Sequence, residues 1–193
     1  MKFKEFLNEA PALIDVPNDP ELANRMYEKD KKNKKSLKDW KQGEYEISAY
    51  QGKNEHHLYI LKDEKLQLFI SFTAPNVKGL GQMIQNSYIQ KAKGSSVNTD
   101  MIIDIIFGII DTFKFDGIIS DDLQSELGGK KLWRSIMQYG SDKGYNIGIY
   151  DNVENKVEPK EKDKKFALWY AIRSREVYGR GLDKARYQLY VKK

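Results

Sequence analysis

SYIQKAKGSSVNTDMIIDIIFGIIDTFKFDGIISDDLQSELGGKKLWRSIMQYGSDKGYNIGIY (residues 87–150) is the stretch whose reading decides the fold. Ser87–Ile89 predicts a strand. A loop of small residues follows at Lys93-Gly94-Ser95-Ser96. From about Thr99 to Phe113 the apolar residues return at helical spacing. Asp116-Gly117 is turn chemistry, and Ile118-Ile119 is a short strand. The polar elbow Ser120-Asp121-Asp122 then opens an amphipathic helix that runs through Tyr139, before a last strand at Ile147–Tyr150. This β-loop-α-β-α-β order predicts an α/β (α+β) domain, a twisted mixed sheet of about six or seven strands flanked by helices.

Towards the N-terminus the period changes to two. Tyr45, Ile47 and Ala49 alternate with Glu44, Glu46 and Ser48, and two further strands are expected at His57–Leu61 and Leu66–Phe72. Their short polar connections predict an antiparallel meander. Thr73–Gly81 reads as a loop, and Met83–Gln90 as the strand that leads into the central stretch. Earlier still, Asp19-Pro20-Glu21 is a good helix start, because proline is pre-set for the first turn and acids suit the positive end of the dipole. Leu22, Ala23 and Met26 give that helix a thin apolar stripe. Lys29–Lys41 packs seven lysines into thirteen positions, with Leu37 and Trp40 embedded, and reads as a solvated helix face or a loose connection. Residues 1–42 are therefore expected to form an amphipathic and basic arm, and residues 43–193 the domain.

Towards the C-terminus, Asp151–Lys165 is polar and predicts an exposed loop. Phe166–Ile172 (FALWYAI) is an apolar run of strand length, expected to be buried on both faces. Tyr187–Val191 predicts a final edge strand, blunted by Lys192 and Lys193. Between them lie Arg173, Arg175, Arg180 and Arg186, with Tyr178 and Gly179-Arg180-Gly181, a set able to clamp phosphate or a carboxylate or simply to face solvent.

Composition narrows the function classes. With no cysteine in 193 residues, disulfides, thiolate nucleophiles and Cys-based zinc sites are excluded. The two histidines, His56 and His57, are adjacent. In a strand they point to opposite faces, so no shared metal site is expected. A net charge of +5 permits attraction to phosphate without diagnosing it. The most apolar run, Met101–Ile110, is broken by Asp104 and Gly108 and is too short to span a bilayer. The N-terminus lacks the apolar core and cleavage site of a secretory signal, so the protein is not expected to be secreted.

Two resemblances carry the functional expectations. A meander followed by strand, loop, helix, strand, helix, strand and a late strand resembles the GNAT superfamily of N-acyltransferases over residues about 44–172. In that family the loop after the fourth strand holds the acyl-CoA pyrophosphate on backbone amides at a helix N-terminus, where unpaired N–H groups and the dipole favour an anion. The resemblance implies acetyl-CoA or another acyl-CoA as cofactor, bound by Gln90, Lys91, Lys93, Gly94, Ser95 and Ser96. The family pattern runs Gln or Arg, two residues, Gly, one residue, then Gly or Ala. Gln90 begins it properly, whereas Lys93 stands where the first glycine belongs. A tyrosine on the following helix commonly protonates the departing thiolate. Trp133 occupies roughly that place and an indole is no acid at neutral pH, which leaves Tyr139 as the candidate, with Asp121 to orient the acceptor. Ser120-Asp121 followed by Gln124-Ser125, a glycine and Trp133 resembles a phrase found in GNAT-like phage proteins, and nominates Ser120, Gln124 and Ser125 as a substrate cleft.

The second resemblance is at the start. Phe3, Phe6 and Leu7 lie on one helical face and Leu7-Asn8-Glu9-Ala10 ends the segment. This is similar to the capsid-targeting leader of T-even-type phage internal head proteins, which the prohead protease removes. It implies phage head components as partners, and a place in the host cytoplasm or the virion interior. The function expected is thus a phage GNAT-like acyltransferase acting on an amine of a protein or nucleic-acid acceptor. Its rivals are a catalytically inactive head-associated protein of the same fold, and a nucleic-acid-binding module using Lys31–Lys41 and the late arginines.

Overall fold

The computed structural model describes residues 21–33, 36–51, 55–92, 94–121, 128–178 and 186–193. They form an α+β protein of four helices and one open, mixed, mostly antiparallel ten-stranded sheet. In chain order the elements are α1 (Leu22–Asn33), β1 (Ser36–Gln42), β2 (Tyr45–Gln51), β3 (His56–Lys62), β4 (Lys65–Thr73) and β5 (Asn76–Val77). Next come β6 (Gly81–Lys91), α2 (Thr99–Phe113), β7 (Gly117–Ile119), α3 (Gly128–Asp142), β8 (Asn146–Asp151), β9 (Lys156–Pro159), α4 (Phe166–Val177) and β10 (Tyr187–Lys192). Across the sheet the order is β1-β2-β3-β4-β6-β7-β10-β8-β9, with β5 beside β6. The β6–β7 pair is parallel and the other neighbours are antiparallel.

Burial explains the layering. One main core joins Ile47, Leu58, Ile70, Ile84, Ile118 and Val191 of the sheet to α2, α3 and α4. Helix α2 gives it Ile102, Ile103, Ile105, Ile106, Phe107, Ile109 and Ile110, each side chain contributing about 1.5–3 kcal/mol on burial. Because successive strand residues face opposite ways, the alternate set forms two smaller clusters on the other face. Tyr50, Tyr59, Leu61, Leu66 and Phe69 lie under α1, which adds Ala23, Met26 and Tyr27. Leu80, Met83, Ile119, Tyr150 and Tyr190 make the second, edged by Val77 and Val157. Among the described residues no helix is long and apolar enough to cross a membrane.

Helix α2 has the expected bounds, and its ends show why. Asn98 caps the first turn by accepting from the Met101 amide at 2.9 Å, and Lys114 closes the last in a left-handed conformation, φ 62°. The meander β2-β3-β4 and the strands β6, β7 and β8 are also where the periodicity predicts them.

Four expectations are corrected. Phe166–Ile172 is not a strand buried on both faces but the start of α4. Trp169, Tyr170, Ser174 and Val177 face inward while Leu168 and Ile172 are 61% and 51% exposed, a one-sided burial that seven apolar residues in a row conceal. Tyr187–Val191 is no edge strand. It lies between β7 and β8, antiparallel to both, with Gln188 through Val191 buried. The edges are instead β1 and β9. The lysine-rich stretch splits into the end of α1 and strand β1, whose exposed Lys38, Asp39 and Lys41 suit an edge. Asp151–Lys165 contains β9, paired with β8 through the turn at 152–155. With β5 these additions bring the sheet to ten strands instead of six or seven.

Candidate functional site

The sheet changes character at the end of β7. Strands β6 and β7 pair in parallel over three residues only, Met83↔Gly117, Ile84↔Ile118 and Gln85↔Ile119. Asp116 fastens the start of this pair: its carboxylate accepts from the Gln82 amide at 2.8 Å, and its own amide donates to the Gln82 carbonyl at 2.9 Å. Beyond Gln85, β6 continues to Lys91 against β4 alone among the described residues. The chain leaving β7 stays with β10 instead, Ser120 donating its amide to the Leu189 carbonyl at 2.8 Å. Among the described residues no strand pairing joins Asn86–Lys91 to Ser120 or Asp121, and this unpaired seam is the candidate site.

The loop at the top of this seam is built from the residues nominated for a phosphate. Gln90 is buried in β6 and Lys91 is exposed beside it, while Lys93 lies outside the described residues. Gly94 sits at φ +78°, a left-handed conformation that suits glycine, and closes a turn in which Ser95 donates to the Ala92 carbonyl at 3.1 Å. The next two amides already have acceptors. That of Ser96 donates to Gln67 Oε1 at 3.3 Å and that of Val97 to Ser95 Oγ at 3.2 Å. Ser96 Oγ meets the Tyr45 hydroxyl at 3.2 Å, Val97 is buried, and Asp100 places a carboxylate in the first turn of α2. The dipole at this helix end is thus met by the protein's own oxygens.

Ser120 is fully buried, and its atoms are spent on structure. Its Oγ accepts from the Leu189 amide at 2.9 Å, and its carbonyl accepts from Gln188 Nε2 at 2.6 Å and Gln85 Nε2 at 3.4 Å. Asp121 is half-buried at the edge of the seam, and Gln124 and Ser125 fall outside the described residues. Tyr139 is elsewhere. Its ring packs on Phe107 (4.6 Å) and Tyr145 (5.7 Å), with Lys143 Nζ 5.4 Å from its centre. Burial, and then the Asp104 charge, push its hydroxyl above the ordinary tyrosine range. Phe107 is eight residues into α2, about 12 Å along the axis from the loop. Gln90 thus lies at the end of β6 and Gly94, Ser95 and Ser96 in the turn after it, Ser120 follows the end of β7 beside Gln85, and Tyr139 packs on α2.

Two of the late arginines are committed to ion pairs. Arg186 holds Asp151 through both carboxylate oxygens at 2.7–3.1 Å, which keeps the Asp151 carboxyl below its usual range, and Arg173 bridges Glu176 and Glu158. Arg180 lies outside the described residues. Residues 1–10, which carry the leader resemblance, lie outside them too.

Away from the seam is a cluster the sequence did not announce. His57, 4% exposed, stands between two carboxylates, with Nδ1 2.5 Å from Asp30 Oδ2 and Nε2 2.9 Å from Glu55 Oε1. The Tyr59 hydroxyl donates to Asp30 at 2.7 Å and Ser71 Oγ to Glu55. Period two puts His57, Tyr59, Phe69 and Ser71 on one face, but Asp30 comes from a helix and only the folded chain brings it there. Among the described residues no set of three or more His, Asp and Glu side chains is arranged to hold a metal ion. Compared with protein-family models, with curated proteins and with solved structures, the chain matches none.

Proposed function

We propose that the chain uses a GNAT-type sheet as a binding scaffold and does not carry out acyl transfer. The order β4-β6-β7-β10-β8, with one short parallel pair in the middle and an opening above it, supports the GNAT part of this reading. The observation that carries the rest is the loop at 94–98. Amides that an acyl-CoA pyrophosphate needs are bound to Gln67 and Ser95, and Asp100 puts a carboxylate in the same first helical turn. Tyr139, the tyrosine nominated as proton donor, packs instead against Phe107 and Tyr145. Together with the resemblance of residues 1–10 to a capsid-targeting leader, this favours a head-associated phage protein that keeps the fold without the chemistry.

The opposing reading, an acyl-CoA-dependent N-acyltransferase, draws on the same seam, and one experiment separates them. The full chain is heated with and without millimolar acetyl-CoA, and thiol release is followed with polyamine, peptide and nucleic-acid amines. The expected result is an unchanged melting temperature and no thiol. A ligand present at 100 times its Kd would stabilise by about 2.7 kcal/mol, and such a shift with turnover would overturn the proposal. In a second arm, the mass of the protein taken from virions should correspond to a chain beginning at Ala10. Absence from virions would remove the head-associated part alone.

A further inference from the structure

We propose that the outer face of α4 is a docking surface for an acidic amphipathic helix of a partner protein. The first two turns of α4 are apolar on both sides. Trp169 and Tyr170 are buried and Phe166 is half-buried, while Ala167, Leu168, Ala171 and Ile172 are exposed. A helix that is apolar all round is ordinarily covered all round. Single aliphatic side chains are common on any surface, but these are not scattered. Of the three large hydrophobic side chains exposed among the described residues, Leu168 and Ile172 lie on successive turns of this one helix.

The inner side of α4 is held, so the outer side keeps its shape. Tyr170 donates its hydroxyl to the Lys130 carbonyl at 3.1 Å, Lys130 Nζ lies 5.5 Å from the centre of the Tyr178 ring, and Arg173 bridges Glu158 and Glu176. On the outer side Leu168 and Ile172, four residues apart, make a ridge, and Ala167 and Ala171 a low row beside it. Ridge and row form a shallow groove of the kind that takes the side-chain ridge of a second helix. A bilayer surface would gain two aliphatic side chains here and make no use of the groove.

Charge selects the occupant. Arg175, one turn beyond Ala171, is exposed at one end of the stripe, and Lys164 and Lys165 are exposed at the other. The stretch 160–165 sets four lysines against two acids, Glu161 and Asp163, and the first turn of α4 holds no acid. Glu176, beside Arg175, is paired with Arg173. A second copy of the chain would oppose like charges. Two α4 helices packed antiparallel about a two-fold axis set Arg175 against the lysines of the other copy, and packed parallel they set it against its own equivalent. A helix with an apolar stripe and acids at both ends meets the same face without that conflict. From Lys165 to Arg175 is about 15 Å along the axis, so the acids of the partner stand about ten residues apart. This surface is separate from the seam and stands whether or not acetyl-CoA binds there.

The test uses the full chain with nitrogen-15 in its backbone and carbon-13 in its Leu and Ile methyls. Two synthetic helices of about five turns carry the same stripe of Leu and Ala, one with glutamates at both ends of it and the other with lysines there. The glutamate peptide should shift the amides of residues 164–175 and bind about tenfold or more tighter than the lysine peptide, a difference that salt reduces. Leu168→Glu and Ile172→Glu, at sites already open to water, should leave the fold intact and each weaken the binding about tenfold or more. Equal binding of the two peptides, or no shift in α4 with either, would overturn the proposal. So would three results that name another occupant: shifts in α4 that grow with protein concentration alone, contacts from residues 1–20 to the Leu168 or Ile172 methyls in the free chain, and binding to phosphatidylcholine–phosphatidylglycerol vesicles that Leu168→Glu abolishes.

Discussion

Gly117→Val is expected to be among the most damaging single changes in this chain, lowering stability by on the order of 3 kcal/mol. Gly117 begins β7 where three backbones converge. A Cβ at this position would run into the Val191 carbonyl oxygen of β10 and come within 2.9 Å of Lys192 Cα and 3.0 Å of Met83 Cε. Two of those atoms are backbone in a strand paired on both sides, so neither can move without breaking the Lys192↔Gly117 register. Against a total stability of about 5–15 kcal/mol, a loss of that size is large. Urea denaturation should show the midpoint falling with the slope nearly unchanged. A midpoint equal to that of the natural protein would mean that β7 is not wedged between β6 and β10.

A loss of similar or larger size, about 3–5 kcal/mol, is expected for Phe72→Ala. Phe72 is 1% exposed on β4. It lies between His56 of β3 and Asn86 of β6 in register, its ring 5.1 Å from His56 and 6.2 Å from Phe115. The β4–β6 register shifts between Ser71 and Phe72, at the level where β6 leaves its parallel partner. Removing the ring leaves a cavity at the foot of the seam, among neighbours fixed by strand pairing and unable to collapse into it. Two unpartnered buried polar atoms, His56 Nδ1 and Asn86 Oδ1, flank the site, so water entering the cavity offsets only part of the loss. Comparing thermal and urea midpoints of the two proteins measures it, and a change under 1 kcal/mol would show that the core here repacks freely.

These two positions also show how far a sequence can be read. Helix α2 was legible because the isoleucines between Met101 and Ile110 repeat at helical spacing and Asn98 is a capping residue. The meander was legible because Tyr45, Ile47 and Ala49 alternate with polar neighbours. Phe166–Ile172 was not, since about two turns of helix and a doubly buried strand both tolerate unbroken apolar residues, and only the exposure of Leu168 and Ile172 separates them. Nor could Tyr187–Val191 announce its place beside β7. Its neighbours β7 and β8 lie far back along the chain, so no local pattern marks it as an inner strand. Of the candidate segment Gln90–Ser96, Gln90 and Lys91 end strand β6 and Gly94–Ser96 belong to the turn after it. The state of that turn was hidden, because Gln67 and Tyr45, which hold Ser96, lie 29 and 51 residues away. The side-chain cluster at His57 was hidden for the same reason, Asp30 being 27 residues distant.

The account rests most heavily on where β6 and β7 stop pairing. Nuclear Overhauser contacts between the backbones of a labelled sample test this directly. The expected pattern has parallel cross-strand contacts from Met83–Gln85 to Gly117–Ile119, contacts from Asn86–Lys91 to β4, and none from Asn86–Lys91 to Ser120 or Asp121. Parallel contacts continuing from Tyr88 to Asp121 would close the seam, and with it the scaffold on which the proposed function depends.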